Sequence, residues 1–238
     1  MNKAFGPMIY HTRRSDKYGK IFTRTSSSLD FKVKVVCEPC NNGWMSRMED
    51  KIAKPAMLDL ITPLSSQPLS TTHLTPDRLK AIATFAFKTA VVAHHASPYP
   101  YRLFPSLARR QFRRSFIIPA GVHMWIGEFR SEFARSGILH GHSGIAKPRS
   151  PLGIHMNVCT FIAGRLLLQI ASISWANRNR RKRFPLEVVQ SDEWDAVSVP
   201  FWPITGKDII WPPVSFISRQ SLAAFCNRWR SDLQLLRN

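Results

Sequence analysis

The chain has 238 residues, enough for one large domain or a domain with a small appendage. At 44% hydrophobic and 21% charged residues it is globular material, which excludes a disordered chain. Lys and Arg number 34 against 15 Asp plus Glu, a formal charge of +19, and such a field selects polyanions: nucleic acid first, anionic membrane second.

Fifteen Phe and seven Trp can fill a substantial core. Four Cys are too few for a secreted disulfide scaffold of this length. The N-terminus, Met1 to Arg14, is polar and basic and lacks the apolar centre of a secretory signal. Ala81 to Ala96 is the most apolar run, but Lys88 interrupts it and His94-His95 closes it, short of the ~20 residues a membrane span needs. These features predict a soluble, cytoplasmic protein with no membrane partner.

Residues 1–30 carry Gly6-Pro7, Lys17-Tyr18-Gly19-Lys20 and Ser26-Ser27-Ser28, and read as an irregular arm that builds no core. Phe31-Lys32-Val33-Lys34-Val35-Val36 alternates apolar and basic before turning fully apolar, the pattern of a half-buried strand running into Cys37. After Asn42-Gly43, the apolar residues Trp44, Met45, Met48 and Ile52 fall on one helical face. Ser46 and Glu49 have capping-box spacing, Asn42 is an equally good cap, and Pro55 is expected to end or bend the helix. This unit, residues 31–60, is too small to be stable alone without a staple.

Thr62 to Thr75 is rich in Ser, Thr and Pro and reads as a linker. Thr75-Pro76-Asp77 is a strong helix start, with Thr as cap, Pro in the first turn and an acid against the dipole. Leu79 to Ala96 is apolar nearly all round, as a buried central helix would be. Ser106 to Phe116 predicts a second, basic helix. Strands are expected at Val122 to Phe129, Gly137 to Ile145, Met156 to Ile162, Arg165 to Ile173 and Leu186 to Gln190, with a tight hairpin at Ala163-Gly164. Phe201 to Pro213 reads as a loop with two Trp-Pro units, and Ser218 to Leu236 as a final helix with Leu222, Phe225, Cys226 and Trp229 inward. Helices followed by a run of strands predict an α+β fold, with helices packed on an antiparallel sheet over residues 76–238.

Cys37-Glu38-Pro39-Cys40 sets two thiols at metal-ligand spacing. Zinc favours four N or S ligands, and a turn of this kind supplies two. A redox-active pair and simple burial are the other readings. A thioredoxin-like arrangement would use the strand-to-helix junction this chain offers, but it also needs βαβ repeats that the chain lacks. Cys159, mid-strand, and Cys226, on an inward helix face, read as core residues. His140 and His142 share one side of a strand, either as a metal-binding pair or as a polar turn beside Gly144. His94-His95 suits a helix C-terminus.

Cys40-Asn41-Asn42-Gly43-Trp44-Met45-Ser46, followed by Glu49, resembles a pattern shared by bacterial and phage proteins related to HNH endonucleases. The later Phe87-Lys88-Thr89-Ala90 and the Trp-Pro units are also similar, so the resemblance runs from about Phe31 onward, sharpest at the Cys-Asn-Gly-Trp core. It implies a zinc-stapled nuclease module of two strands and a helix. Cys37 and Cys40 would be ligands of a structural zinc, and Asn41 the helix-borne ligand of a catalytic Mg or Mn ion. In that family a further Cys-x-x-Cys and a Glu-His-x-x-Pro element precede this one. Neither occurs here, and the only upstream His, His11, matches nothing. The resemblance therefore implies half a module, truncated or degenerate, without the general base that activates water.

Asn177-Arg178-Asn179-Arg180-Arg181-Lys182-Arg183-Phe184 is the densest charge run and reads as an exposed loop suited to phosphate contacts. Arg109, Arg110, Arg113 and Arg114 recur on roughly one helical face and could track a second phosphate strand, with Arg13 and Arg14 adding to the field. Nothing signals base-specific readout. The expected activity is nucleic-acid binding, DNA foremost, with little or no cleavage. The alternatives are a non-enzymatic DNA- or RNA-binding module with a structural thiol turn, and an interaction protein kept soluble by its charge.

Overall fold

The computed structural model describes residues 10–15, 21–26, 36–61, 71–96, 104, 106–131, 136–145, 154–175, 186–188, 190–228 and 233–235. The strand expected over Phe31 to Val36 lies outside them except for Val36.

Strands β1 (Tyr10–Ser15) and β2 (Ile21–Ser26) form an antiparallel hairpin in which Tyr10 faces Ser26 and Ser15 faces Ile21. The reading of residues 1–30 as irregular is therefore corrected at Tyr10–Ser15 and Ile21–Ser26, the residues described there. Ile21-Phe22-Thr23-Arg24-Thr25 is dense in β-branched and aromatic residues, which favour strands even where polarity hides the alternation.

The thiol turn opens a helical hook. It begins with one turn, α1 (Glu38–Cys40), and passes through a widened π turn (Asn41–Met45), α2 (Ser46–Met48), a second π turn (Glu49–Ala53) and α3 (Lys54–Ile61). Gly43 breaks helical geometry at φ −92° and ψ −108°, so the long helix proper starts at Trp44. Of the two expected effects of Pro55, ending the helix does not occur: the residue sits inside α3. An interior proline lacks an N–H and presses on the carbonyl four residues back. The π turn just before it widens that stretch and relieves both demands.

Part of the expected linker is ordered: β3 (Thr72–Leu74) precedes α4 (Pro76–Ala96), the predicted central helix. The backbone N–H of Leu79 donates to the Thr75 carbonyl at 2.9 Å and that of Arg78 to the Thr75 hydroxyl at 3.4 Å, as the cap requires. Leu79, Ile82, Ala83, Phe85, Ala86, Phe87 and Ala90 are all buried, so α4 meets packing partners on nearly every side. Each fully buried large apolar side chain contributes roughly 1.5–3 kcal/mol.

The basic helix α5 (Ser106–Ser115) leads into β4 (Val122–Arg130), β5 (Ser136–Ile145), β6 (Ile154–Ala163) and β7 (Leu166–Trp175). After β8 (Leu186–Val188) and the turn α6 (Asp192–Asp195) come β9 (Ser198–Trp202), β10 (Ile209–Trp211), β11 (Ile217–Ser218), α7 (Leu222–Asn227) and β12 (Leu233–Leu235). The main sheet runs β5-β6-β7-β4, antiparallel throughout. The far edge of β4 pairs with β9 antiparallel and, farther along, with β11 parallel. The expected Trp-Pro loop thus contains strands: β10 pairs with β3, and the buried Trp211 indole donates to the Gly127 carbonyl at 3.2 Å. The fold is α+β, as the order of helices and strands predicts.

One sheet face carries Met124, Ile126, Cys159, Phe161, Leu168 and Ile170 against α3 and α4, and the hook residues Met48, Ala53, Ala56, Met57, Leu60 and Ile61 join the same core. The hook therefore shares its core with the sheet. The β6–β7 turn seals this contact. Gly164 adopts φ +56°, and a Cβ there would come within 1.8 Å of the Ile61 carbonyl oxygen, so only glycine fits.

The opposite face carries Phe129, Ile162 and Leu167 against Ile217 and Phe225. The final helix is far shorter than its apolar spacing predicts: α7 ends at Asn227, and Leu233–Leu235 is a strand paired with β8. Phe225 packs inward and Cys226 is partly buried, as expected, while Trp229 lies outside the described residues.

Candidate nucleic-acid interface and thiol turn

Helix α5 divides its residues by face. Phe112 is buried, against Phe87 at 4.7 Å between ring centroids, and anchors the helix to α4. The outward face exposes Arg110, Arg113 and Arg114. Arg109, read as the fourth phosphate contact, is half-buried and belongs more to the inner side. The helix contains no Asp or Glu, so Arg110, Arg113 and Arg114 face solvent without a local counter-charge on their own element. Leu107, Arg110, Gln111, Arg114 and Ser115 line an open groove of about 410 Å³ along this face.

The hook meets α5 through Trp44, whose ring lies 6.2 Å from Phe112 and 6.2 Å from Phe116. Phe116 closes α5 at φ +55°, a left-handed conformation uncommon for a bulky residue, with its ring 5.8 Å from Phe112. A second link is the ion pair of Lys88 on α4 with Glu49. Glu49, read from the sequence as a capping-box residue, is thereby engaged by Lys88.

These contacts bring the thiol turn beside the basic helix. Cys37 is exposed and Cys40 half-buried. The backbone N–H groups of Cys40 and Asn41 both donate to the Cys37 carbonyl at 3.0 Å, fixing the turn. The Cys37 thiol is held below its ordinary range, first by the Cys40 thiol's hydrogen bond, then by the Cys40 backbone N–H, and further by the Arg113 guanidinium.

The donor set does not fit a zinc site. Zinc takes four ligands, and no third His, Cys, Asp or Glu joins Cys37 and Cys40 among the described residues. Asn41 lies in the π turn before the Gly43 break, so the long helix starts after it. It is exposed, and its side-chain amide donates to the Asn42 side-chain oxygen at 3.3 Å. No carboxylate or imidazole cluster stands with it among the described residues.

The remaining candidates divide cleanly. Arg178, Arg180, Arg181, Lys182 and Arg183 lie outside the described residues, as do the side chains of His140 and His142. His94 is buried in α4 and packs edge-on against Phe104 at 6.2 Å. Cys159 is sealed in the core, where burial pushes its thiol up to about 12. Burial also raises the Cys226 thiol, which hydrogen-bonds the Thr160 hydroxyl at 3.4 Å.

Arg228 was not singled out by the sequence. It is 4% exposed on the second sheet face and donates to the Gln169 side-chain oxygen at 3.2 Å, to Gln190 at 2.6 Å and to Ser198 at 3.2 Å. Its guanidinium lies 4.2 Å from the Phe225 ring centroid. This network ties α7 to the sheet. No sequence signal distinguishes it from the exposed arginines around it.

Comparison with protein-family models, with curated proteins and with solved structures returned no match. Among the described residues no helix is long and apolar enough to cross a membrane.

Proposed function

We propose that this protein binds nucleic acid, DNA foremost, through the outward face of α5. The observation that carries this reading is the run of Arg110, Arg113 and Arg114, exposed on one helix without an acidic residue. Guanidiniums free in solvent at i, i+3 and i+4 suit successive phosphates, and the +19 total supplies long-range attraction. The contact is to backbone rather than to base edges, so affinity is insensitive to sequence.

The HNH-like motif around Cys37, Cys40 and Asn41 supports descent from a phosphodiester-cleaving module, and its abutment on α5 is where such a module would need its phosphate grip. The chain alone lacks the family's Glu-His-x-x-Pro element, so it binds without cutting. Completed by a segment bearing that general base and the missing ligands, the same face would hydrolyse DNA with Mg or Mn.

The test is duplex-DNA binding by fluorescence anisotropy over a salt series, run beside plasmid nicking with magnesium or manganese. Steep salt dependence with intact plasmid supports the proposal. No binding at low salt overturns it in favour of an interaction role for the protein. Nicking abolished in Asn41→Ala overturns the non-cleaving part.

A further inference from the structure

We propose that Cys37 and Cys40 form a thiol–disulfide exchange pair, with Cys37 the attacking sulfur. The proposal starts from the mismatch between two thiols and a four-ligand zinc site, and it stands independently of nucleic-acid binding.

The geometry is that of a pair ready to close. Residues three apart on a helical turn have Cα atoms about 5 Å apart, inside the roughly 4.4–6.8 Å range of disulfides. The turn is held by two hydrogen bonds onto the Cys37 carbonyl, each 3.0 Å, and Pro39 fixes the backbone between the sulfurs. Both sulfurs hang from this one hydrogen-bonded turn, so closing the bond does not require the hook to unfold.

Access is graded in the required order. Cys37 is exposed and meets solvent first, while Cys40 is half-buried behind it. The exposed Arg113, whose charge is among the causes that lower the Cys37 thiol, offers a cation to an anionic disulfide substrate. The other two cysteines of the chain do not compete: Cys159 is buried and Cys226 is partly buried against Thr160.

The co-reactant is a low-molecular-weight disulfide such as glutathione disulfide. The Cys37 thiolate attacks one of its sulfurs, forming a mixed disulfide and releasing one thiolate. Cys40 gives its proton to solvent and attacks the Cys37 sulfur, expelling the second thiolate. Two electrons pass from the protein pair to the small disulfide, which leaves as two thiols once each thiolate takes a proton.

The experiment uses the full chain, treated with chelator and then with glutathione disulfide, without nucleic acid, and reads intact mass and peptide maps. The expected product is a chain lighter by two hydrogens, with Cys37 linked to Cys40. Cys40→Ser should stall as a single glutathionyl adduct on Cys37, and Cys37→Ser should form at least tenfold less adduct. The proposal is overturned if the wild type stops at the mixed disulfide or if the adduct maps to Cys226. It is equally overturned if the isolated protein holds one zinc per chain and both thiols stay silent before and after chelation.

Discussion

Replacing Arg110, Arg113 and Arg114 together by alanine removes the outward charge of α5 while leaving Phe112 and the core in place. Arg110, Arg113 and Arg114 carry long side chains on one exposed face, and each guanidinium can take one phosphate, three in all. Each contact adds about 0.9 to the slope of log affinity against log salt, so the triple variant should lose about 2.7 from that slope. Between about 50 and 200 mM salt the native protein should then weaken about 40-fold more than the variant. Fluorescence anisotropy with a fixed duplex measures both slopes, and far-UV circular dichroism checks that the helix survives. Parallel slopes would refute the assignment of phosphate contacts to α5. Arg109→Ala, from a half-buried position, should move the slope less than any outward arginine.

Gly164→Ala should destabilise the fold by about 2–4 kcal/mol, because the left-handed backbone and the Ile61 carbonyl both refuse a Cβ; urea unfolding should show a lower midpoint at an unchanged slope. Glu128 is 1% exposed and accepts from Arg130 at 2.9 Å and Arg165 at 2.8 Å, so Glu128→Ala strands two guanidiniums and should cost about 3–5 kcal/mol by the same measurement. The depressed Cys37 thiol deprotonates at lower pH than an ordinary cysteine, so its alkylation by iodoacetamide should persist below the usual range as pH falls. Cys40→Ala should move that profile upward most and Arg113→Ala less, whereas Cys159 should stay unreactive throughout. Chelation should leave the melting midpoint unchanged, since the hook is held by apolar packing; a drop of many degrees would show a metal holding the fold.

The elements legible in the sequence are those whose signal is local. Thr75-Pro76-Asp77 marks the start of α4 through its own cap chemistry, and the all-round apolarity of that helix matches burial on nearly every side. The β6–β7 hairpin was legible from one glycine, although its turn is Gly164-Arg165, one residue later than expected. The errors fall where a distant partner decides. Residues near Thr72 look like linker until Ile209–Trp211 pairs with them. Apolar spacing after Ser218 mimics a long helix, but Leu233–Leu235 is claimed by Leu186–Val188 as a strand. Pro55 reads as a stop or a bend because the preceding π turn leaves no mark in composition.

The same distinction governs the candidate site. The thiol turn and the arginine run were each visible, but their meeting depends on Trp44 packing against Phe112 and Phe116, a contact between segments about seventy residues apart in sequence. Taken alone, residues 31–60 lack a core, and the pair of cysteines then looks like the staple such a unit needs. In the fold, Met48, Met57, Leu60 and Ile61 are buried against α4 and the sheet. At roughly 1.5–3 kcal/mol each, those four side chains supply an upper estimate of about 6–12 kcal/mol, near the range of about 10–16 kcal/mol attributed to a structural zinc. Packing therefore contributes on the scale otherwise assigned to a metal staple. Cys37 itself stays exposed, with its thiol lowered in part by the Arg113 charge.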